Sequence, residues 1–119
     1  MTESLAQFFL EHFEAHREEL AYRQRAGYRS ESFTYGEIMH MALAFAGEMR
    51  ARGIQKGDRV MLWGENSAEW VAAFFGCAVS GVVAVPMDDG ASPDFAIRVA
   101  GQVQAKLWAG SGDNLEKLG

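Results

Sequence analysis

Two adjacent carboxylates, Asp88 and Asp89, follow an apolar run and are the first groups in this sequence that chemistry could use. Open α/β sheets place ligands beyond the carboxyl ends of their strands. Paired carboxylates there can hold Mg²⁺ or accept a phosphoryl group. Such chemistry needs a basic partner at the end of another strand, whereas the strand expected to end at Ala109 is followed by glycines and Ser111. The two aspartates therefore read as a solvated turn or a helix cap. Gly110-Ser111-Gly112 offers two glycines of a dinucleotide loop, but Leu115 stands where the third belongs. It reads as a turn.

The remaining reactive side chains are equally plain. His12 and His16 lie one helical turn apart, a spacing that can share a metal. The string is His-Phe-Glu-Ala-His rather than His-Glu-x-x-His, with no third ligand in view. They read as solvated or half-packed histidines. His40, between methionines on a helix, reads as a packing residue. Cys77, the one cysteine, sits inside an apolar stretch without a sequence-near partner and reads as a small buried side chain. Arg23, Arg25 and Arg29 can bind an anion, or can protect the edge of a strand. No residue is assigned a catalytic, cofactor-binding or metal-ligating role.

The elements that carry these groups can be read from spacing. Residues 2–20 place Leu5, Phe8, Phe9 and Phe13 in one aromatic stripe opposite an acidic face. A membrane-surface helix would carry a basic polar face, so the stripe is expected to pack on the protein. Residues 20–33 form a hairpin with its turn at Ala26-Gly27, in which Tyr22 and Gln24 alternate with Arg23 and Arg25. Thr34 and Glu37 make a capping box, and Ile38, Met41, Ala42, Phe45 and Met49 continue as a helix that Gly53 ends. Residues 59–63 are a short apolar strand.

From Trp70 to Met87 no side chain is charged. About 18 such residues suffice for a membrane span, yet the stretch is punctuated. Asn66 or Ser67 caps a helix, Glu69 sits in its first turn, and Gly81 takes the left-handed position past its end. Val82 to Val85 then form a strand covered on both faces, which Pro86 stops. Ser92 and Pro93 start a helix bearing Phe95, Ile97, Val99 and Val103. Residues 106–109 form a third strand, and residues 113–118 a last helical piece.

The expected fold class is α/β. It is a three-layer unit with a short parallel sheet, strands near 60, 83 and 107, flanked by helices and preceded by an N-terminal helix and a β-hairpin. A chain of 119 residues is one domain or part of one. The net charge of −5 argues against nucleic acid as a partner. The single cysteine points to a reducing compartment, and the first residues show no signal peptide. The expected location is the cytoplasm.

Two motifs give the chain a relative. Phe33-Thr34-Tyr35-Gly36-Glu37-Ile38 resembles the first core motif of the adenylate-forming (AMP-binding) synthetases, Leu-Thr/Ser-Tyr-x-Glu-Leu. Residues 77–88 are similar to their second, Leu-Lys-Ala-Gly-x-Ala-x-Val-Pro-Leu-Asp, with Cys77, Val79 and Ser80 departing from the pattern. Gly57-Asp58-Arg59-Val60 and the turn at Asn66-Ser67 also follow that family. The wording Trp-Gly-Glu-Asn-Ser-Ala-Glu-Trp looks most like its long-chain fatty acid–CoA ligases. The resemblance runs from Leu20 to Leu118.

The resemblance implies that residues 1–119 are the N-terminal part of a synthetase domain, a fragment whose remainder would be its chief partner. ATP, Mg²⁺ and CoA are implied for such a parent, and none for this chain. The family's phosphate loop, acidic Mg²⁺ residue, ribose-binding aspartate and catalytic lysine have no counterpart here. The segment is expected to be structural and inactive alone, and to form a homodimer where apolar surface is left exposed. The other readings are a freestanding flavodoxin-like or receiver-like module, and an interaction protein working through the Phe8–Phe13 stripe.

Overall fold

Ten elements follow one another in the computed structural model, which describes residues 4–116 and Leu118 (side chains at 112 and 113 aside). Helix α1 spans Leu5–Ala15, and strands β1 (Leu20–Ala26) and β2 (Arg29–Thr34) pair as an antiparallel hairpin. Helix α2 is Tyr35–Ala51 and strand β3 is Arg59–Trp63. Then come α3 (Ala68–Ser80), β4 (Val83–Met87), α4 (Pro93–Val103), β5 (Leu107–Gly110) and the short α5 (Gly112–Glu116). Strands β4, β3 and β5 form a parallel sheet in that order, with β3 in the centre.

The expected three layers are present. On one face, Val60 and Leu62 of β3 pack with Met49 of α2 and Cys77 of α3. On the other, Met61 and Trp63 pack with Met87 and with Ala96 of α4. Alternate side chains of one strand thus serve two cores, which is why β3 reads as an unbroken apolar run. A third core joins α1 to the sheet-covering helices, with Phe9 and Phe13 against Ile38, Ala42 and Ala72. The Phe9 and Phe75 rings stack at 4.3 Å.

Local capping explains the element boundaries. Thr34 Oγ1 accepts the Glu37 amide at 3.1 Å while the Glu37 carboxylate accepts the Thr34 amide at 2.8 Å. Ser67 caps α3 through the Trp70 amide, and Ser92 caps α4 through Phe95. Gly81 ends α3 with φ +70°, a conformation that costs glycine little. Replacing Thr34 by alanine removes one half of the reciprocal cap. The expected loss is about 1 kcal/mol of unfolding free energy, read as a lower urea midpoint with an unchanged slope.

Several boundaries and environments differ from expectation. Helix α1 starts at Leu5 and stops at Ala15, and residues 2 and 3 lie outside the described residues. Only Phe9 and Phe13 of its stripe are buried; Leu5 and Phe8 are exposed, because only one side of the stripe meets α2 and α3. The hairpin turns one residue later, at Gly27-Tyr28, with Ala26 paired to Arg29; glycine supplies φ +66° at the first turn position. The strand after Gly81 runs through Pro86 to Met87, with Ala84 against the core under α2 and α3 and Val85 and Met87 in the core under α4, so both faces are covered, though not along their whole length. Val83 is 48% exposed, because β4 is an edge strand, where proline is tolerated. On α4, Phe95 and Ile97 are exposed while Ala96 is buried. His40 is exposed and does not pack. Residues 113–118 form a helix only to Glu116, and residue 117 lies outside the described residues.

The uncharged run from Trp70 is split between α3 and β4 by the turn at Gly81. Among the described residues no helix is long and apolar enough to cross a membrane.

Candidate functional site

The carboxyl ends of the three parallel strands meet in a small polar network. Trp63 closes β3, and its indole Nε1 donates to the Asp88 carbonyl at 3.1 Å. Ser111, just past β5, donates its amide to the Trp63 carbonyl at 3.3 Å. Its hydroxyl accepts the Asn114 amide at 3.2 Å. Asn114, only 3% exposed, donates through Nδ2 to Asp89 Oδ1 at 2.8 Å and to the Trp63 carbonyl at 3.5 Å. The ends of β3, β4 and β5 are thereby latched to one another.

Asp88 and Asp89 thus stand where a ligand would be expected, and Asp89 is tied into the network at the strand ends. The Asp89 carboxylate is engaged by Asn114, and both aspartates are exposed. Among the described residues no group of three His, Cys, Asp or Glu side chains is placed to hold a metal ion. Ser111, expected only as part of a turn, accepts the Asn114 amide at the start of α5. Sequence reasoning missed Asn114, because its partners are 25 and 51 positions away and leave no local signal.

The other candidates are also accounted for. His12 and His16 place their ring centroids 4.5 Å apart. His12 stacks on Phe8 and meets Tyr35 edge-on, while His16 Nδ1 contacts the Glu19 carboxylate. Both are half-packed. Arg23 and Arg25 are exposed, and Tyr22 and Gln24 turn inward, as the alternation predicts. Arg29 sits opposite Ala26, on the other face from Arg23 and Arg25, so the three arginines do not converge. Gln24 joins the hairpin to α3: its Oε1 accepts the Ala68 amide at 2.9 Å, and its Nε2 donates to Glu31 at 3.2 Å.

Cys77 is fully buried, and burial pushes its thiol up to about 11 by disfavouring the thiolate. The native state therefore holds this proton longer than the unfolded chain, whose thiol titrates at 9.0. Stability from the buried thiol is complete below pH 9 and is lost as pH rises toward 11. Native protein at pH 8 is expected to resist a thiol-alkylating reagent, with labelling rising steeply only in denaturant. Replacing Cys77 by alanine should remove its part of the alkaline loss of stability.

Two concavities remain, and the shallower, of about 500 Å³, lies over the start of α2 beside Arg17 and His40. A cleft of about 530 Å³ opens beside the carboxyl end of β5. Its floor holds Phe45, Leu62, Trp70 and Ala109, and the hairpin residues Arg25 and Glu31 stand on its rim.

The fold and its strand ends define a doubly covered parallel α/β unit whose conspicuous polar groups hold the scaffold. The AMP-binding enzyme family model matches residues 9–116. The chain belongs to that family. It is 44% identical over 55 residues to the long-chain-fatty-acid–CoA ligase FadD13 of Mycobacterium tuberculosis, covering 46% of this chain and 11% of that protein. It is 34% identical over 61 residues to a probable CoA ligase of Humulus lupulus, covering 51% of this chain and 9% of that protein. A fatty acyl-adenylate ligase from L. pneumophila, solved with acyl adenylate and pyrophosphate, superposes with a TM-score of 0.87 at 24% identity. That superposition covers 100% of this chain and 22% of the other. The chain thus spans about a tenth of the length of these curated relatives. Both core motifs, at residues 33–38 and 77–88, lie inside the family match.

Proposed function

We propose that this chain is the N-terminal structural segment of an ATP-dependent, AMP-forming ligase that joins long-chain fatty acids to CoA. The observation that carries this reading is the 44% identity over 55 residues to a long-chain-fatty-acid–CoA ligase, set within a family match over residues 9–116. In such a parent, ATP, Mg²⁺ and CoA are handled by residues outside this segment. The chain itself supplies a hydrophobic wall of the catalytic domain: the capping box sets α2, and the helix–turn–strand at 68–87 completes the sheet.

Scaffold and catalyst are separable on this reading. The isolated chain, given ATP, Mg²⁺, radiolabelled pyrophosphate and palmitate, is expected to show only background ATP–pyrophosphate exchange. Exchange above background that disappears with a point substitution in this chain overturns the proposal. The principal partner is the rest of a ligase polypeptide, and the setting is cytoplasmic. The exposed Val83, Phe95 and Ile97 give the isolated chain apolar surface through which a second copy can pair. Light scattering at rising concentration reads that dimer directly, and a constant monomeric mass removes it.

A further inference from the structure

His12 and His16 stand one helical turn apart at the end of α1. The His16 amide donates to the His12 carbonyl at 3.1 Å, so the helical spacing holds as far as the cap. The ring centres are 4.5 Å apart. Two imidazoles on one metal, with bonds of about 2.0 Å at a right angle, hold their ring centres about 4.5 Å apart. A metal can therefore join this pair without moving the backbone.

His16 already has the outer partner that a ligating histidine needs. Its Nδ1 contacts the Glu19 carboxylate, and an ionised carboxylate only accepts hydrogen bonds. In the neutral ring Nδ1 therefore carries the proton, and Nε2 keeps its lone pair for a metal. Backbone bonds hold this partner in place. The Glu19 amide donates to the His16 carbonyl at 2.8 Å, and the Tyr35 amide to the Glu19 carbonyl at 3.0 Å. His12 is positioned by its stack on Phe8, at 5.3 Å, and by Tyr35 edge-on at 5.5 Å.

The surroundings favour a cation. Glu11, Glu14, Glu18 and Glu19 flank the pair. Arg17, the only lysine or arginine among residues 11–19, is engaged by Glu14 at 2.8 Å. The carboxyl end of α1 adds the negative end of its dipole.

We infer that His12 and His16 form a chelating site for a divalent transition metal, with Glu19 orienting His16 and water completing the coordination. Imidazole donors at a right angle suit Cu²⁺, which also binds most tightly among the divalent first-row ions. Every group involved lies between Phe8 and Tyr35, so the site stands apart from the ligase reading.

The test is titration of the 119-residue chain with Cu²⁺, read by calorimetry and by electron paramagnetic resonance. One equivalent is expected to bind, with the nitrogen hyperfine pattern of two imidazoles. His12→Phe keeps the stacked ring but has no nitrogen, and His16→Ala removes the other ligand. Each is expected to weaken binding at least about 10-fold, because the chelate becomes a single contact. Glu19→Gln is expected to cost about 10-fold through the outer partner. His40→Ala, exposed on α2, should change nothing. Bound Cu²⁺ should raise the urea midpoint of the parent but not of His12→Phe, and far-ultraviolet circular dichroism checks that each variant is folded. Undiminished binding to both histidine variants places the copper at the amino terminus or His40 and overturns the assignment. A titration that never saturates overturns it as well.

Discussion

Gly110→Ala is expected to be among the most damaging single substitutions in this protein, although the site is exposed. A Cβ built on Gly110 falls 2.0 Å from the carbonyl oxygen of Trp63 and 3.0 Å from its carbonyl carbon. Both are backbone atoms of the central strand, so no side chain can swing away to make room. Relief requires β5 to separate from β3 at its carboxyl end, and with it the Ser111–Trp63 bond and the Asn114 contacts. Losses of about 4 kcal/mol or more belong to such backbone clashes, against a total stability of roughly 5–15 kcal/mol for a domain. Chemical denaturation monitored by far-ultraviolet circular dichroism should show a large fall in midpoint or an unfolded chain. A stability within about 0.5 kcal/mol of the parent would show that the two strand ends do not approach as closely as described.

Trp63→Ala removes the largest fully buried side chain, which is 0% exposed. The indole packs with Met61, Met87 and Ala96 and lies 5.9 Å from the Trp108 ring. Its N–H holds the Asp88 carbonyl at the end of β4. The expected cost is about 3–5 kcal/mol, the range for emptying a buried aromatic site. Trp63→Phe separates packing from hydrogen bonding. It keeps most of the volume and loses the bond to an exposed segment, so about 1 kcal/mol is expected from the missing donor, plus a smaller packing term. Equal losses for the two substitutions would mean that the hydrogen bond, not the volume, holds β4 to β3.

These two sites show where local reading stops. The caps at Thr34, Ser67 and Ser92 and the helix end at Gly81 were legible because each is a bond or a dihedral within a few residues. The assignment to the AMP-binding family was legible for the same reason, since its two motifs are built from these local devices. Gly110 looked like an ordinary turn glycine, because nothing near it in sequence announces the Trp63 carbonyl. Asn114 carried no signal at all.

Pro86 and Val83 make the same point from the other direction. The run from Val82 to Val85 is apolar throughout and reads as a strand covered on both faces, as Ala84 and Val85 are, yet β4 is an edge strand with Val83 half exposed. Pattern records how apolar a strand is. It does not record how many neighbours the strand has.

By itself the sequence determined the kinds of element, their order, the caps that bound them, and the family to which the chain belongs. All of these rest on interactions spanning a few residues, or on periodicity along one element. Only the tertiary structure decided that β3 is central, that β4 and β5 are the edges with a cleft beside β5, and that Asp89 is held by Asn114. Those facts depend on which distant segments meet, and that choice is made by burying three cores at once rather than by any local preference.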